Sequence, residues 1–145
     1  MKSQLICHLP LNPRAIPLIF GGQLSCGFPS PAIDYELPDL SLDDLVGLTP
    51  TSSIFLFRAS GHSMTGAGIF DGDVLIVDKA LTAEDGHVVV AVIGADFLVK
   101  RLSKSKQGEV SLKADSPGYP PIRLGEFETL EVWGVCRWVL HSLMP

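Results

Sequence analysis

The run His87-Val88-Val89-Val90-Ala91-Val92-Ile93-Gly94-Ala95-Asp96-Phe97-Leu98-Val99-Lys100-Arg101-Leu102 decides how this chain folds. Its first half is almost all β-branched, and such side chains suit a pleated, half-buried surface. Gly94-Ala95-Asp96 leaves room only for a tight connection, so the two halves read as a hairpin of two strands, His87–Ile93 and Asp96–Leu102. The same grammar recurs on both sides. Ile54–Arg58, Val74–Asp78, Glu109–Lys113 and a long last run, Glu131–Leu143, bent near Gly134, read as further strands. Asp115–Pro121 is a loop. Short strands separated by turn signals predict a mostly β domain, barrel-like or sandwich-like.

The N-terminal side reads differently. Five prolines within residues 1–33, together with Gly21-Gly22, forbid a long helix or a central strand there and predict an extended arm. A helical turn is expected at Leu42–Leu45, with Ser41 as its cap and Gly47 as its stop. The boundaries follow: residues 1–40 form a flexible N-terminal arm and residues 41–145 a β-rich domain. Charge divides along similar lines. Residues 1–26 carry Lys2 and Arg14 and no acid, hence +2, which leaves −7 of the net −5 to residues 27–145. An acidic body of this kind is a poor sequence-independent grip for phosphates. Cys7, Cys26 and Cys136 make an odd set with no paired spacing, which indicates free thiols in a reducing cytoplasm and neither a disulfide framework nor a metal site. Pro10, Asn12, Pro13, Arg14 and Pro17 interrupt any signal-peptide core, and no run approaches the ~18 apolar residues of a membrane helix.

Two residues carry the chemistry. Ser63 lies in Ala59-Ser60-Gly61-His62-Ser63-Met64-Thr65-Gly66-Ala67-Gly68, a glycine-rich turn directly after a strand. Such a turn exposes a hydroxyl and lets the backbone approach a substrate closely, with a main-chain N–H able to hold an oxyanion. Taken alone, serine and glycine are ordinary turn residues. Lys100 changes the balance. Strand alternation puts it on one face with Leu98 and Leu102, which predicts burial. Burial favours the neutral amine, and a neutral amine can take the proton of a serine hydroxyl. The plainer alternative is a lysine that carries its head to water. His62 is expected to flank the site without bonding to Ser63. Asp71-Gly72-Asp73 is expected to be a turn leading into the strand that ends at Asp78, and not a metal site.

Together these segments resemble the LexA/UmuD family of self-cleaving serine peptidases over nearly the whole chain. Ser60-Gly61-His62-Ser63-Met64 is similar to the family's nucleophile motif, Asp71–Asp78 to the following strand, Phe97–Leu102 to its lysine motif and Trp133-Gly134-Val135 to the last strand. Cys26-Gly27-Phe28-Pro29-Ser30-Pro31-Ala32 resembles the cleavage segment of the family's UmuD branch. His62 departs from the small polar or acidic residue often found there. The resemblance implies a LexA-like, signal-peptidase-like domain of twisted antiparallel strands with an extended N-terminal arm. It implies a serine endopeptidase with Ser63 as nucleophile and Lys100 as general base, without a cofactor. Gly61, Met64 and the Ser63 backbone would support the oxyanion and its turn. The cut would fall between Cys26 and Gly27. The 27–145 product would form a homodimer. The implied partners are a RecA filament on single-stranded DNA and a UmuC-like Y-family polymerase subunit, in the SOS response and translesion synthesis. Proline-rich sequence ahead of the β domain weighs against a helix-turn-helix and so against direct DNA reading.

Three other readings share these residues. A non-catalytic interaction module would use the β domain only to bind. A mobile-element regulator would share the fold. A signal-peptidase relative would need a membrane anchor.

Overall fold

A computed structural model of the chain describes residues 1–9, 17–19, 39–49, 53–123, 125 and 129–144. In order, the strands are β1 (Lys2–Leu9), β2 (Pro17–Ile19), β3 (Asp39–Ser41), β4 (Ile54–Ser60), β5 (Val74–Asp78), β6 (Val88–Ile93), β7 (Asp96–Lys104), β8 (Val110–Lys113), β9 (Ile122–Arg123) and β10 (Leu130–Leu140). One helical turn, α1 (Leu42–Leu45), follows β3. The chain divides into two compact units, Leu11–Pro50 and Met1–Pro10 with Thr51–Pro145. In the smaller unit β2 pairs antiparallel with β3, and α1 ends before Gly47 at a φ of 67°, the left-handed stop that the sequence predicts.

The larger unit is an antiparallel sheet in the order β1-β4-β5-β10-β6-β7-β8-β9. It closes on itself where Lys2 of β1 also pairs with Leu98 of β7. Six strands thus ring a barrel, with β8 and β9 continuing outward from β7. The strands expected from the sequence are all present, extended or trimmed by a few residues, and the mostly β class stands. The hairpin that opened the reading is β6–β7, in register from Val88 opposite Arg101 to Ile93 opposite Asp96.

β10 joins the two sides of the barrel. Residues Leu130–Val135 pair with β6, and Val135–Leu140 pair with β5. Its register shifts between Val132 and Gly134 and again between Cys136 and Trp138, and bulges of this kind bend a strand. Gly134 makes the bend possible. A Cβ there would lie 2.9 Å from Val77 Cγ1, too close for any side chain without repacking.

Alternation sends apolar residues of one strand to two cores. Phe57, Met64, Leu75, Val77, Val90 and Val99 fill one; Val89, Ala91, Leu102, Leu112 and Val135 fill the other. Around Trp133 the rings of Phe55, Phe57 and Phe97 stand edge-on, at centroid distances of 4.8, 5.3 and 5.7 Å.

β1 is the element that the proline-based reading missed. Its backbone is extended, as expected of an arm, yet it pairs with β4 from Lys2–Ser60 to Leu9–Ile54. All the N-terminal prolines lie at position 10 or later, so nothing in Lys2–Leu9 opposes a ladder.

Candidate active site

β4 delivers the nucleophile candidate. After Ser60 the chain turns at Gly61, whose φ of 99° is open only to glycine without strain, and its N–H bonds Asp71 Oδ1 at 2.8 Å. Ser63 and Met64 follow, and a single 3-10 turn, Thr65–Ala67, closes the segment. The Met64 side chain is fully buried, and its carbonyl accepts from the N–H groups of Ala67 and Ile69 at 3.0 and 3.2 Å. The turn is therefore pinned at both ends.

β7 delivers the second group. Lys100 is 7% exposed and Ser63 1% exposed, and Lys100 Nζ donates to Ser63 Oγ at 2.9 Å. The burial expected from alternation is present. The Lys100 ammonium also lies 5.6 Å from the centre of the Tyr119 ring.

Met1 occupies the space beside this pair. Its nitrogen donates to Ser63 Oγ, and its carbonyl accepts from Val99 N at 2.9 Å. Its side chain belongs to the first core, the cluster that also holds Phe57 and Met64. Desolvation, then the neighbouring Lys100, lowers the Met1 amino group from 8.0 to about 5. Ser3, next on the same face of β1, is buried with no hydrogen-bond partner for its hydroxyl.

A Peptidase S24-like family model matches residues 17–137, the greater part of the chain. The chain belongs to the Peptidase S24-like family. Protein MucA of Salmonella typhimurium is 42% identical over 125 residues, which cover 84% of this chain and 80% of MucA. Protein ImpA of Escherichia coli is 34% identical over 140 residues and 94% of each chain. The LexA repressor of Delftia acidovorans is 36% identical over 139 residues, which cover 94% of this chain and 60% of that repressor. The S24 membership accords with the LexA/UmuD resemblance and with the β architecture.

Around the candidate site the remaining sequence expectations fall as follows. His62 is exposed. The carboxylates serve the turn: Asp71 caps Gly61, while Asp73 accepts from Phe70 N at 2.8 Å and contacts His141 Nδ1. Asp78 is buried against Arg137, at 3.6 Å, and accepts from Ala80 N. Cys26 and Gly27 lie outside the described residues. No helix among the described residues is long and apolar enough to cross a membrane.

Cys136 packs against the first core, and burial pushes its thiol from 9.0 up to about 12. The thiolate is the reactive form, so iodoacetamide at pH 7 is expected to leave Cys136 unmodified in the folded chain and to label it in urea, read by peptide mass. The sign for stability follows. Between 9.0 and about 12 the unfolded chain releases a proton that the folded chain retains, so this thiol lowers stability as pH rises through that window and has no effect below it.

Proposed function

We propose that this protein cuts its own chain between Cys26 and Gly27, with Ser63 as nucleophile and Lys100 as general base. The observation that carries the reading is the buried 2.9 Å contact between Lys100 Nζ and Ser63 Oγ in a chain of the Peptidase S24-like family. With Lys100 neutral, the contact reverses and the hydroxyl donates to the amine. Oγ then bonds to the Cys26 carbonyl carbon while the proton passes to Nζ. The tetrahedral oxyanion collapses, the C–N bond to Gly27 breaks, and Lys100 returns the proton to the leaving amine. Water, deprotonated in turn by Lys100, releases Cys26 as a carboxylate. The substrate is part of the same chain, so its local concentration is high without a deep binding pocket.

The placement of the cut rests on the Cys26–Ala32 segment and its resemblance to the UmuD branch. From the same resemblance, a RecA filament on single-stranded DNA stimulates the reaction in the SOS response. The 27–145 product then dimerises and joins a UmuC-like Y-family polymerase subunit in translesion synthesis, in the cytoplasm. The mass of the purified protein, followed over time at pH 7 and pH ~10, tests the core of this reading. A lysine amine ordinarily loses its proton near pH ~10.4, so the 27–145 fragment is expected to appear faster at the higher pH. An intact chain under both conditions, and with RecA, an ATP analogue and single-stranded DNA added, sinks it.

In this reading the Met1 amino group, which hydrogen-bonds Ser63 Oγ beside Lys100, gives way to the Cys26–Gly27 segment before the attack. The Ser3 hydroxyl has no hydrogen-bond partner within the protein, and an unsatisfied buried hydroxyl costs about 1–3 kcal/mol, so Ser3 is the position at which the hold on β1 can be tuned. Ser3→Val removes that cost and is expected to slow self-cleavage several-fold. Ser3→Asp buries an unpaired carboxylate, expels the strand and is expected to speed it. Equal rates in both variants would show that release of β1 does not limit the reaction.

A further inference from the structure

Arg101, the residue after Lys100, takes no part in the chemistry above. Its Nε donates to Asp115 Oδ2 at 2.7 Å, its second terminal nitrogen donates to the same oxygen, and Nη1 donates to Gly86 O at 2.7 Å. The hydrogen bond to Asp115 raises the Arg101 guanidinium above its ordinary value, so the guanidinium stays charged. Asp115 opens the loop after β8, and its backbone carbonyl accepts from Gly66 N at 2.6 Å. Gly66 belongs to the 3-10 turn that closes the Ser63 segment. A Cβ on Gly66 would stand 2.4 Å from Asp115 O, so only glycine allows this approach. Four residues further along the same loop, the Tyr119 ring lies over Lys100 Nζ.

One loop therefore touches both halves of the Ser63/Lys100 pair, its backbone on the serine's turn and its aromatic ring on the lysine. We infer that Arg101, acting through Asp115, is a positioning residue that holds this loop so that the Gly66 turn and the Tyr119 ring keep Ser63 Oγ and Lys100 Nζ in register. The inference rests on the self-cleavage reading. The guanidinium is needed for its shape as well as its charge, because one fork bridges the Asp115 carboxylate and the Gly86 carbonyl. A lysine ammonium lacks that planar geometry.

Arg101→Gln and Asp115→Ala are each expected to slow self-cleavage about 10–100-fold, the scale on which small misplacements of reacting groups act. The double variant is expected to be no slower than the worse single, since both remove one linkage. Asp115→Asn keeps an acceptor for Arg101 and is expected to stay within about 3-fold of wild type, whereas Arg101→Lys is expected not to rescue. Amide hydrogen exchange, measured by NMR on the uncleavable Ser63→Ala chain with and without Arg101→Gln, gives a readout that general destabilisation would not single out. Exchange should accelerate at Gly66 while the amides of β5 and β6 keep their protection. Wild-type cleavage rates in both single variants, multiplicative losses in the double, or uniform acceleration across the sheet would each overturn the inference. If wild type itself never cleaves, the peptidase reading fails, and the Gly66 exchange still decides whether Arg101 holds the turn.

Discussion

Ser63→Ala will stop self-cleavage without unfolding the protein. The hydroxyl is 1% exposed, and its recorded contacts are with Lys100 and the Met1 nitrogen. Removing the nucleophile of a serine peptidase lowers the rate by about 10⁶-fold where it has been measured, and no other described group stands in the same place. On the time scale of wild-type cleavage the variant should therefore remain a single full-length mass, while its circular dichroism and melting temperature stay close to wild type. Lys100→Ala is expected to fall by about 10²–10⁴-fold, the usual contribution of a general base. Part of that loss should return at high pH, where hydroxide in solution can take the serine proton. The two variants thus differ in kind: one is dead at every pH, the other regains activity as pH rises. A Ser63→Ala chain that still yields the 27–145 fragment would transfer the cut to a contaminating protease or to another residue.

The largest effect on stability is expected from Phe57→Ala. Phe57 is completely buried at the centre of the first core, edge-on to Phe97 at 5.1 Å and to Trp133 at 5.3 Å. Truncation removes the transfer energy of the ring and leaves a cavity, which together cost about 3–5 kcal/mol. The two aromatic contacts belong to that cost and account for about 0.5–1.5 kcal/mol each. β4 leads straight into the Ser63 turn, so self-cleavage should weaken along with the fold. Urea unfolding checks this directly: the midpoint should drop with the slope unchanged. Phe57→Leu, which keeps much of the volume, should lose well under half as much. An unchanged midpoint for Phe57→Ala would mean that the barrel does not depend on this ring cluster.

The strands were legible because their signal is local. The strands read at His87–Ile93 and Asp96–Leu102 declare themselves by apolar runs with a tight turn between them, and the structure pairs Val88–Ile93 with Asp96–Lys104 antiparallel, as a hairpin requires. The burial of Lys100 was legible for the same reason, since alternation with Leu98 and Leu102 is a property of neighbours in sequence. The Ser63 turn was legible from its glycines. β1 was not, because a Lys2–Leu9 segment with no turn signal of its own becomes a strand only when β4 and β7 offer it partners. The Arg101–Asp115–Gly66 linkage was hidden too. It joins residues far apart in sequence through a carboxylate, a loop backbone and a close approach that only coordinates reveal.

By itself the sequence determined the class of fold and singled out Ser63 and Lys100 as candidates for chemistry, because strand alternation and turn signals are written in residues adjacent to one another. Tertiary structure alone decided that Ser63 and Lys100 meet at 2.9 Å, that Met1 stands against them, and that β1 closes the barrel. Those are contacts between segments brought together by burying a shared core, and their geometry follows from packing, which no local pattern encodes.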